Sequence, residues 1–155
     1  MFRHHSLTYR FALKPGIFIP RTFTVCALPL LESRVPAGFP SPADDYLEQH
    51  LDLNEFLIEH PAATFFMRVE GDSIIGAGIQ SGDLIIVDRA APVGDNKVVV
   101  ATVNGEFTIK RIKQRGTTLM LMPDNDQYPP LMVTDEMQVE VWGVVTYVIH
   151  RVSTP

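Results

Sequence analysis

Apolar and polar residues along the C-terminal two thirds of the chain follow the period of β-strands rather than that of helices. Six segments rich in β-branched and aromatic residues predict strands, and Asn104-Gly105 between two of them predicts a two-residue hairpin turn. No helical pattern alternates with these segments, which disfavours a parallel sheet with crossover helices. The predicted fold class is mainly β, with curved antiparallel sheets or a partial barrel. The six segments are residues 64–69, 84–87, 97–103, 106–112, 118–122 and 139–149.

The N-terminal part of the chain has no sustained period of either kind. Six prolines between Met1 and Pro42 remove backbone hydrogen-bond donors. We therefore predict an extended N-terminal arm over residues 1–43 and a folded domain over residues 44–155. A chain of 155 residues with 46% hydrophobic content is long and apolar enough for one such domain with its own core.

One short helix is predicted just before the strands, over residues 53–60. Asp52 and Glu55 have the spacing of a capping box, in which each side chain can bond to a free backbone N–H group at the helix start. Pro61 prevents the helix from continuing.

Charge is distributed unevenly between arm and domain. Residues 1–37 have five basic side chains and Glu32 as their only acid, a net charge of +4, whereas the remaining residues have a net charge of −9. Phosphate contacts need a basic surface, so we expect no direct binding to duplex DNA. A protein partner is the better expectation.

The cysteine and hydropathy patterns limit the compartment. Cys26 is the single cysteine, and no His or Cys cluster has metal-ligand spacing, so we expect a cytoplasmic protein with no metal or cofactor. No run approaches the roughly 20 apolar residues that cross a bilayer, so we expect no membrane association. A secretory signal ending at Ala37 is disfavoured, because Pro29 interrupts its short apolar stretch.

The turn Gly71-Asp72-Ser73 follows a predicted strand and offers a candidate nucleophile. A serine on a tight turn is held on a rigid support, and neighbouring backbone N–H groups can stabilise an oxyanion. The Ser73 hydroxyl needs a base to become reactive. None of the five histidines lies in a recognisable triad motif.

Lys110 is the alternative base. It lies in the predicted strand 106–112, where Phe107 and Ile109 could exclude water from the amine and lower its pKa. Each motif taken alone has a plainer interpretation: Gly-Asp-Ser as a surface turn, and the lysine as part of a solvated basic edge.

The order and spacing of the motifs together resemble the self-cleaving domain shared by LexA-type repressors and UmuD-type mutagenesis proteins. The resemblance implies the fold of the LexA C-terminal domain, Ser73 as nucleophile, Lys110 as base, and the backbone N–H groups of Asp72 and Ser73 as the oxyanion hole. Ile74 stands where the family usually has methionine, a change that affects pocket shape more than chemistry. The matching motifs are Val69-Glu70-Gly71-Asp72-Ser73, Gly78-Ile79, Gly82-Asp83-Leu84-Ile85-Ile86-Val87-Asp88 and Gly105-Glu106-Phe107-Thr108-Ile109-Lys110-Arg111.

The segment that starts Ala37-Gly38-Phe39-Pro40 resembles the arm of UmuD-type proteins. The resemblance implies self-cleavage between Ala37 and Gly38. The residues before that bond are broken by prolines and lack a helical period, so a helix-turn-helix headpiece of the repressor kind is not supported. Residues 1–14 have no assigned role.

The resemblance implies a serine endopeptidase that acts mainly on its own chain in the SOS response to DNA damage. A RecA filament on single-stranded DNA would stimulate the cut, and the processed homodimer would be an accessory subunit of a UmuC-type Y-family translesion polymerase. Two alternatives stay open. One is a non-enzymatic β-rich interaction module that regulates a polymerase or another protein, and the other is a peptidase that cuts other proteins.

Overall fold

The described part of the chain is mainly β. The computed structural model describes residues 17–18, 25–31, 37–38 and 47–153. It contains one short α-helix, α1, and a 3₁₀ turn at Ile75–Ala77. The helix α1 is Leu53–Leu57, and the strands are β1 (Ile17–Phe18), β2 (Ala27–Leu31), β3 (Leu47–Asp52), β4 (Thr64–Arg68), β5 (Leu84–Asp88), β6 (Val98–Val103), β7 (Glu106–Arg115), β8 (Thr118–Met122), β9 (Leu131–Met132) and β10 (Val139–Ile149).

Eight of these strands form one antiparallel sheet in the order β1-β4-β5-β10-β6-β7-β8-β9. The long strand β10 joins its two halves, because its first part pairs with β6 and its second part with β5. The register of β10 shifts between Val141 and Gly143 and again between Val145 and Tyr147, and such irregularities bend a strand. Over the described residues the sheet does not close into a barrel, so the predicted class of curved antiparallel sheets is confirmed.

The core consists of two apolar clusters on opposite faces of the sheet. Alternate residues of β6 enter different clusters: Val100 packs in the first, and Val99 and Ala101 pack in the second. All three are fully buried. The first cluster also contains Ile74, which is 1% exposed, so this core supports the turn that holds Ser73.

The six predicted strands match β4, β5, β6, β7, β8 and β10, whereas β3 and the two-residue strand β9 were not predicted. The helix begins where predicted, with the Asp52 carboxylate accepting from the Asn54 N–H at 2.8 Å, but it ends at Leu57 because Ile58 is already extended. The hairpin between β6 and β7 turns at Asn104 and Gly105, whose φ angles of 50° and 86° are those a primed turn requires. None of the helices in the described ranges is long and apolar enough to cross a membrane.

The predicted arm contains a strand that the sequence pattern did not indicate. β2 pairs with β3 in a separate two-stranded antiparallel sheet, and the Cys26 N–H donates to the Asp52 carboxylate at 2.7 Å. Among the described strands β2 pairs with β3 alone, and a strand with one unpaired edge can contain a proline such as Pro29. β1 also pairs with β4, placing Ile17 opposite Met67. The other residues of the predicted arm, apart from 25–26 and 37–38, lie outside the described ranges.

Candidate active site

A tight turn after β4 holds the candidate nucleophile. Gly71 has a φ of +92°, a left-handed conformation that favours glycine. Two residues later Ser73 is half-buried, and Ile74 immediately after it is fully buried in the first core cluster. The 3₁₀ turn that follows continues the bend. The buried Ile74 side chain therefore holds the turn against the core, and Ser73 faces a cleft.

Lys110 reaches this serine from β7. Its Nζ atom lies 2.8 Å from Ser73 Oγ, although the two residues are 37 positions apart in the chain. The same nitrogen lies 3.0 Å from Thr108 Oγ1 and 3.0 Å from the Ile109 carbonyl oxygen. Thr108 and Lys110 are two residues apart on one strand, so their side chains leave the same face of the sheet.

The surroundings of the Lys110 amine make its neutral form easier to reach than in an exposed lysine. Lys110 is half-buried, and this burial lowers the pKa of its amine below the ordinary value near 10.5. A neutral amine has two N–H groups and one lone pair, and three oxygen atoms surround this nitrogen. Thr108 Oγ1 and the Ile109 carbonyl have lone pairs that can accept both N–H groups, while the Ser73 hydroxyl can donate to the nitrogen lone pair. This arrangement is what proton removal from serine requires.

Ser73 lines a cleft of about 630 Å³. Its walls come from the end of β4, the Ser73 turn and β7, and most of them are apolar. Phe107 in one wall packs edge-on against Trp142 at a centroid distance of 4.8 Å. The lining also includes the charged residues Arg68 and Glu70. The lining residues are Met67, Arg68, Val69, Glu70, Gly71, Ser73, Ile74, Val100, Phe107, Thr108 and Ile109.

The predicted oxyanion hole lies at the same turn. Among the residues that the structure describes, no acceptor takes a hydrogen bond from the N–H of Asp72 or Ser73. Asp72 is otherwise well bonded: its carbonyl accepts from Asn125 Nδ2 at 3.0 Å, and its carboxylate accepts from the Tyr128 hydroxyl at 2.5 Å. The assignment of the two N–H groups to an oxyanion stays a prediction.

Ala37 and Gly38 form an exposed bend between β2 and β3. A Cβ atom added to Gly38 would meet nothing within 4 Å. Exposure of both residues suits a bond that must enter a cleft, and their role as the cut site stays a prediction. The residues on either side of this pair lie outside the described ranges.

Two of the five histidines, none of which is a candidate base, lie against buried carboxylates. His60 Nδ1 lies 2.7 Å from the buried Asp88 carboxylate, and His150 Nδ1 lies 2.6 Å from the buried Asp83 carboxylate. Glu59 lies near enough to His60 and Asp88 to complete a group of three possible metal ligands. The Asp88 oxygens already accept from His60 and from backbone N–H groups, so we assign no metal there.

Three polar residues of the site escaped the sequence reasoning. Thr108 could have been found, because strand alternation places it beside Lys110. Asn125 and Tyr128 could not, since they are more than 50 positions from Asp72 and nothing local signals that contact. Two basic residues after Lys110 have different partners. Arg111 forms an ion pair with Asp124, in which Nε lies 2.9 and 3.1 Å from the two carboxylate oxygens. Lys113 donates to the side chain of the exposed Asn96.

The Ser73 hydroxyl lies against a half-buried lysine amine at the edge of a cleft, an arrangement in which the amine can accept the serine proton. Residues 29–146 match the family Peptidase S24-like, and the chain belongs to this family. It is 48% identical over 123 residues to the protein SamA of Salmonella typhimurium, covering 79% of this chain and 85% of SamA.

Further relatives span the same region. The protein MucA of Escherichia coli is 42% identical over 124 residues, which cover 79% of this chain and 84% of MucA. The LexA repressor of Idiomarina loihiensis is 38% identical over 128 residues, which cover 82% of this chain and 62% of that repressor. Similarity to SamA and MucA on the one hand and to a LexA repressor on the other agrees with the resemblance that the motifs indicated.

Proposed function

We propose that this chain is a serine endopeptidase that cuts its own backbone between Ala37 and Gly38. Ser73 is the nucleophile and Lys110 is its base. The single observation that carries the proposal is the 2.8 Å contact between Lys110 Nζ and Ser73 Oγ at the edge of an apolar cleft. Membership of the Peptidase S24-like family supports it.

The chemistry is an acyl transfer in two steps. Neutral Lys110 takes the hydroxyl proton of Ser73 while Oγ attacks the carbonyl carbon of Ala37, and the oxyanion accepts hydrogen bonds from the N–H groups of Asp72 and Ser73. The Lys110 ammonium then gives its proton to the Gly38 nitrogen, the C–N bond breaks, and an ester joins Ala37 to Ser73. Water, with Lys110 again as base, hydrolyses the ester. The products are one fragment ending at an Ala37 carboxylate and one beginning with the Gly38 amine.

Delivery of the bond from the same chain suits this site. Ala37 and Gly38 lie between the paired strands β2 and β3, and β1 pairs with β4, whose Met67 lines the cleft. The substrate is thus tethered on both sides of the bond, and a tethered substrate has a high effective concentration. In this proposal residues 1–43 are the arm with its cut site, and residues 44–155 are the peptidase domain.

The biological role we propose is SOS mutagenesis, on the family resemblance. A RecA filament on single-stranded DNA stimulates the cut in the cytoplasm. The processed homodimer then acts as an accessory subunit of a UmuC-type Y-family polymerase. The net charge of −9 beyond residue 37 favours protein partners over duplex DNA in this role.

Intact-protein mass spectrometry tests the proposal. The purified full-length chain is incubated at neutral and at strongly alkaline pH, with and without RecA filament, beside Ser73→Ala and Lys110→Ala. Lys113→Ala is the matched control, because Lys113 lies on the same strand and bonds to the exposed Asn96. We expect a cut after Ala37 in the wild type and the control, and none in the two dyad variants. A wild-type chain that stays intact under every condition would support the non-enzymatic interaction module instead.

A further inference from the structure

The loop of residues 123–130 packs against the Ser73 turn through Asp72, the residue just before the nucleophile. Asn125 Nδ2 donates to the Asp72 carbonyl oxygen at 3.0 Å. The Tyr128 hydroxyl donates to the Asp72 carboxylate at 2.5 Å. Two side chains of one loop therefore hold both the backbone and the side chain of Asp72.

The bond to the Asp72 carbonyl fixes more than one oxygen atom. The Asp72–Ser73 peptide is planar and trans, so the carbonyl of Asp72 and the N–H of Ser73 point in opposite directions in one plane. Apart from Asn125, this carbonyl accepts only from the Ile75 N–H, at a long 3.3 Å, among the described residues. Asn125 is therefore the main restraint on the direction of the Ser73 N–H, one of the two oxyanion donors in the proposed reaction.

The Asn125 side chain is itself held in one orientation. Its Oδ1 accepts from the Gln127 N–H at 3.0 Å, while its Nδ2 donates to Asp72. Turning the amide over would bring donor against donor at one end and acceptor against acceptor at the other. The hydrogen bond to Asp72 also raises the pKa of the Tyr128 phenol, so this hydroxyl keeps its proton to a higher pH than a free phenol does.

The loop is anchored on the strand that carries the candidate base. Asp124 forms an ion pair with Arg111, which follows Lys110 on β7 and leaves the opposite face of that strand. The Asp124 carbonyl accepts from the Gly76 N–H at 2.7 Å, and a Cβ on Gly76 would lie only 2.5 Å from that oxygen. Asp124 thus links the loop both to β7 and to the 3₁₀ turn that follows Ser73.

We propose that Asn125 and Tyr128 are positioning residues that set the orientation of the Asp72–Ser73 peptide relative to Lys110 and so align the Ser73 N–H with the oxyanion. This inference rests on the proposed self-cleavage. Neither residue touches the scissile bond; both act through Asp72.

The kinetic half of the test measures the first-order self-cleavage rate against pH for Asn125→Ala and Tyr128→Phe. Gln127→Ala is the matched control, because among the described residues only its backbone bonds to Asn125. We expect the plateau rate to fall about 100-fold in Asn125→Ala and about tenfold in Tyr128→Phe. The pH at half-plateau should not move, because that value belongs to Lys110. Tyr128→Phe should add little to Asp72→Ala, since non-additivity is the mark of two residues acting as one unit.

The structural half does not depend on cutting. In a Lys110→Ala background, ¹⁵N relaxation gives the order parameter of the Ser73 amide, which should fall in Asn125→Ala and not in Gln127→Ala. An unchanged order parameter overturns the inference, whether or not the chain cuts itself. A lower order parameter with an unchanged cleavage rate also overturns it. If the wild-type chain never cuts itself but the order parameter of the Ser73 amide falls in Asn125→Ala, the proposed function is refuted. The same result supports the inference that Asn125 orients the Asp72–Ser73 peptide.

Discussion

Lys110 Nζ and Ser73 Oγ lie 2.8 Å apart, and the lysine reaches the serine from a strand rather than from a loop. The register of β7 against β6 places Lys110 opposite the fully buried Val99, so the sheet fixes the backbone of the proposed base. The serine is fixed by Ile74, which is buried in the core on its other side. Both members of the pair are thus held by the core of the domain, which suits a reaction that needs a short, constant distance.

Self-cleavage should depend steeply on pH. Burial lowers the pKa of Lys110 below its ordinary value, and below that lowered pKa the neutral fraction rises about tenfold for each pH unit. We expect the first-order rate to rise with the same slope and to level off at a pH below 10.5, the ordinary pKa. Lys110→Arg, which keeps the charge but does not release a proton, should lose about 10³-fold in rate. A flat profile in the wild type would exclude lysine as the base.

Thr108 should affect the pH dependence of the self-cleavage rate, because its hydroxyl accepts a hydrogen bond from Lys110 Nζ at 3.0 Å. Thr108→Val removes an acceptor from the charged amine, so the rise in rate should move about one pH unit lower. The plateau should fall, because the neutral amine loses a contact that orients it. Thr108→Ser keeps the hydroxyl and serves as the control. The same cleavage assay over pH measures both effects, and identical profiles for Val and Ser would contradict them.

Ile74 should tolerate the family's usual methionine. Ile74 is 1% exposed and packs in the first core cluster. Ile74→Met conserves volume and should cost less than about 1.5 kcal/mol, whereas Ile74→Ala should cost about 2 to 5 kcal/mol. Urea unfolding in a Ser73→Ala background measures both. Self-cleavage of Ile74→Met within a few-fold of the wild type would show that this position shapes the pocket and does not enter the chemistry.

The sequence predicted those parts of the fold in which a local pattern decides the structure. The strands at residues 118–122 and 139–149 were predicted with the observed bounds, because each is a mainly apolar run that ends at polar or turn residues. The hairpin at Asn104-Gly105 was predicted because few residues adopt its positive φ angles. The helix was predicted three residues too long, since the extended conformation of Ile58 has no local signal.

The parts that escaped prediction depend on contacts between distant residues. β2 contains a proline and no alternation, and it is a strand because β3 pairs with it. The pairing of Ser73 with Lys110 followed from the family motifs and not from any spacing rule. The loop that contacts Asp72 gave no signal, because Asn125 and Tyr128 look like ordinary turn residues in a Pro-rich segment.

Gly143 should not accept a side chain. It lies at a register shift of β10, where an added Cβ would be 2.8 Å from the Asp88 carbonyl oxygen and 2.8 Å from Val87 Cγ1. Both contacts are with buried residues of the adjacent strand, so Gly143→Ala should lower the free energy of unfolding by about 1 to 3 kcal/mol. Gly94→Ala is the matched control, since its Cβ would meet nothing within 4 Å. Equal urea midpoints for the two variants would contradict the expected clash.

The pair of His60 and Asp88 should make stability depend on pH near neutrality. The hydrogen bond to Asp88 raises the pKa of His60 above its ordinary value of 6.5. The folded chain then holds this proton more tightly than the unfolded chain, so the contribution is complete below pH 6.5 and is lost as pH rises through the raised pKa.

His60→Gln should remove that part of the pH dependence, and urea midpoints of the Ser73→Ala chain between about pH 6 and pH 8 measure it. The difference in midpoint between His60 and His60→Gln should be largest at the acidic end and shrink toward the alkaline end. His50→Gln, at an exposed position of β3, is the control and should track its parent at every pH. A constant difference across the range would mean that His60 stabilises the fold by packing alone, without its charge.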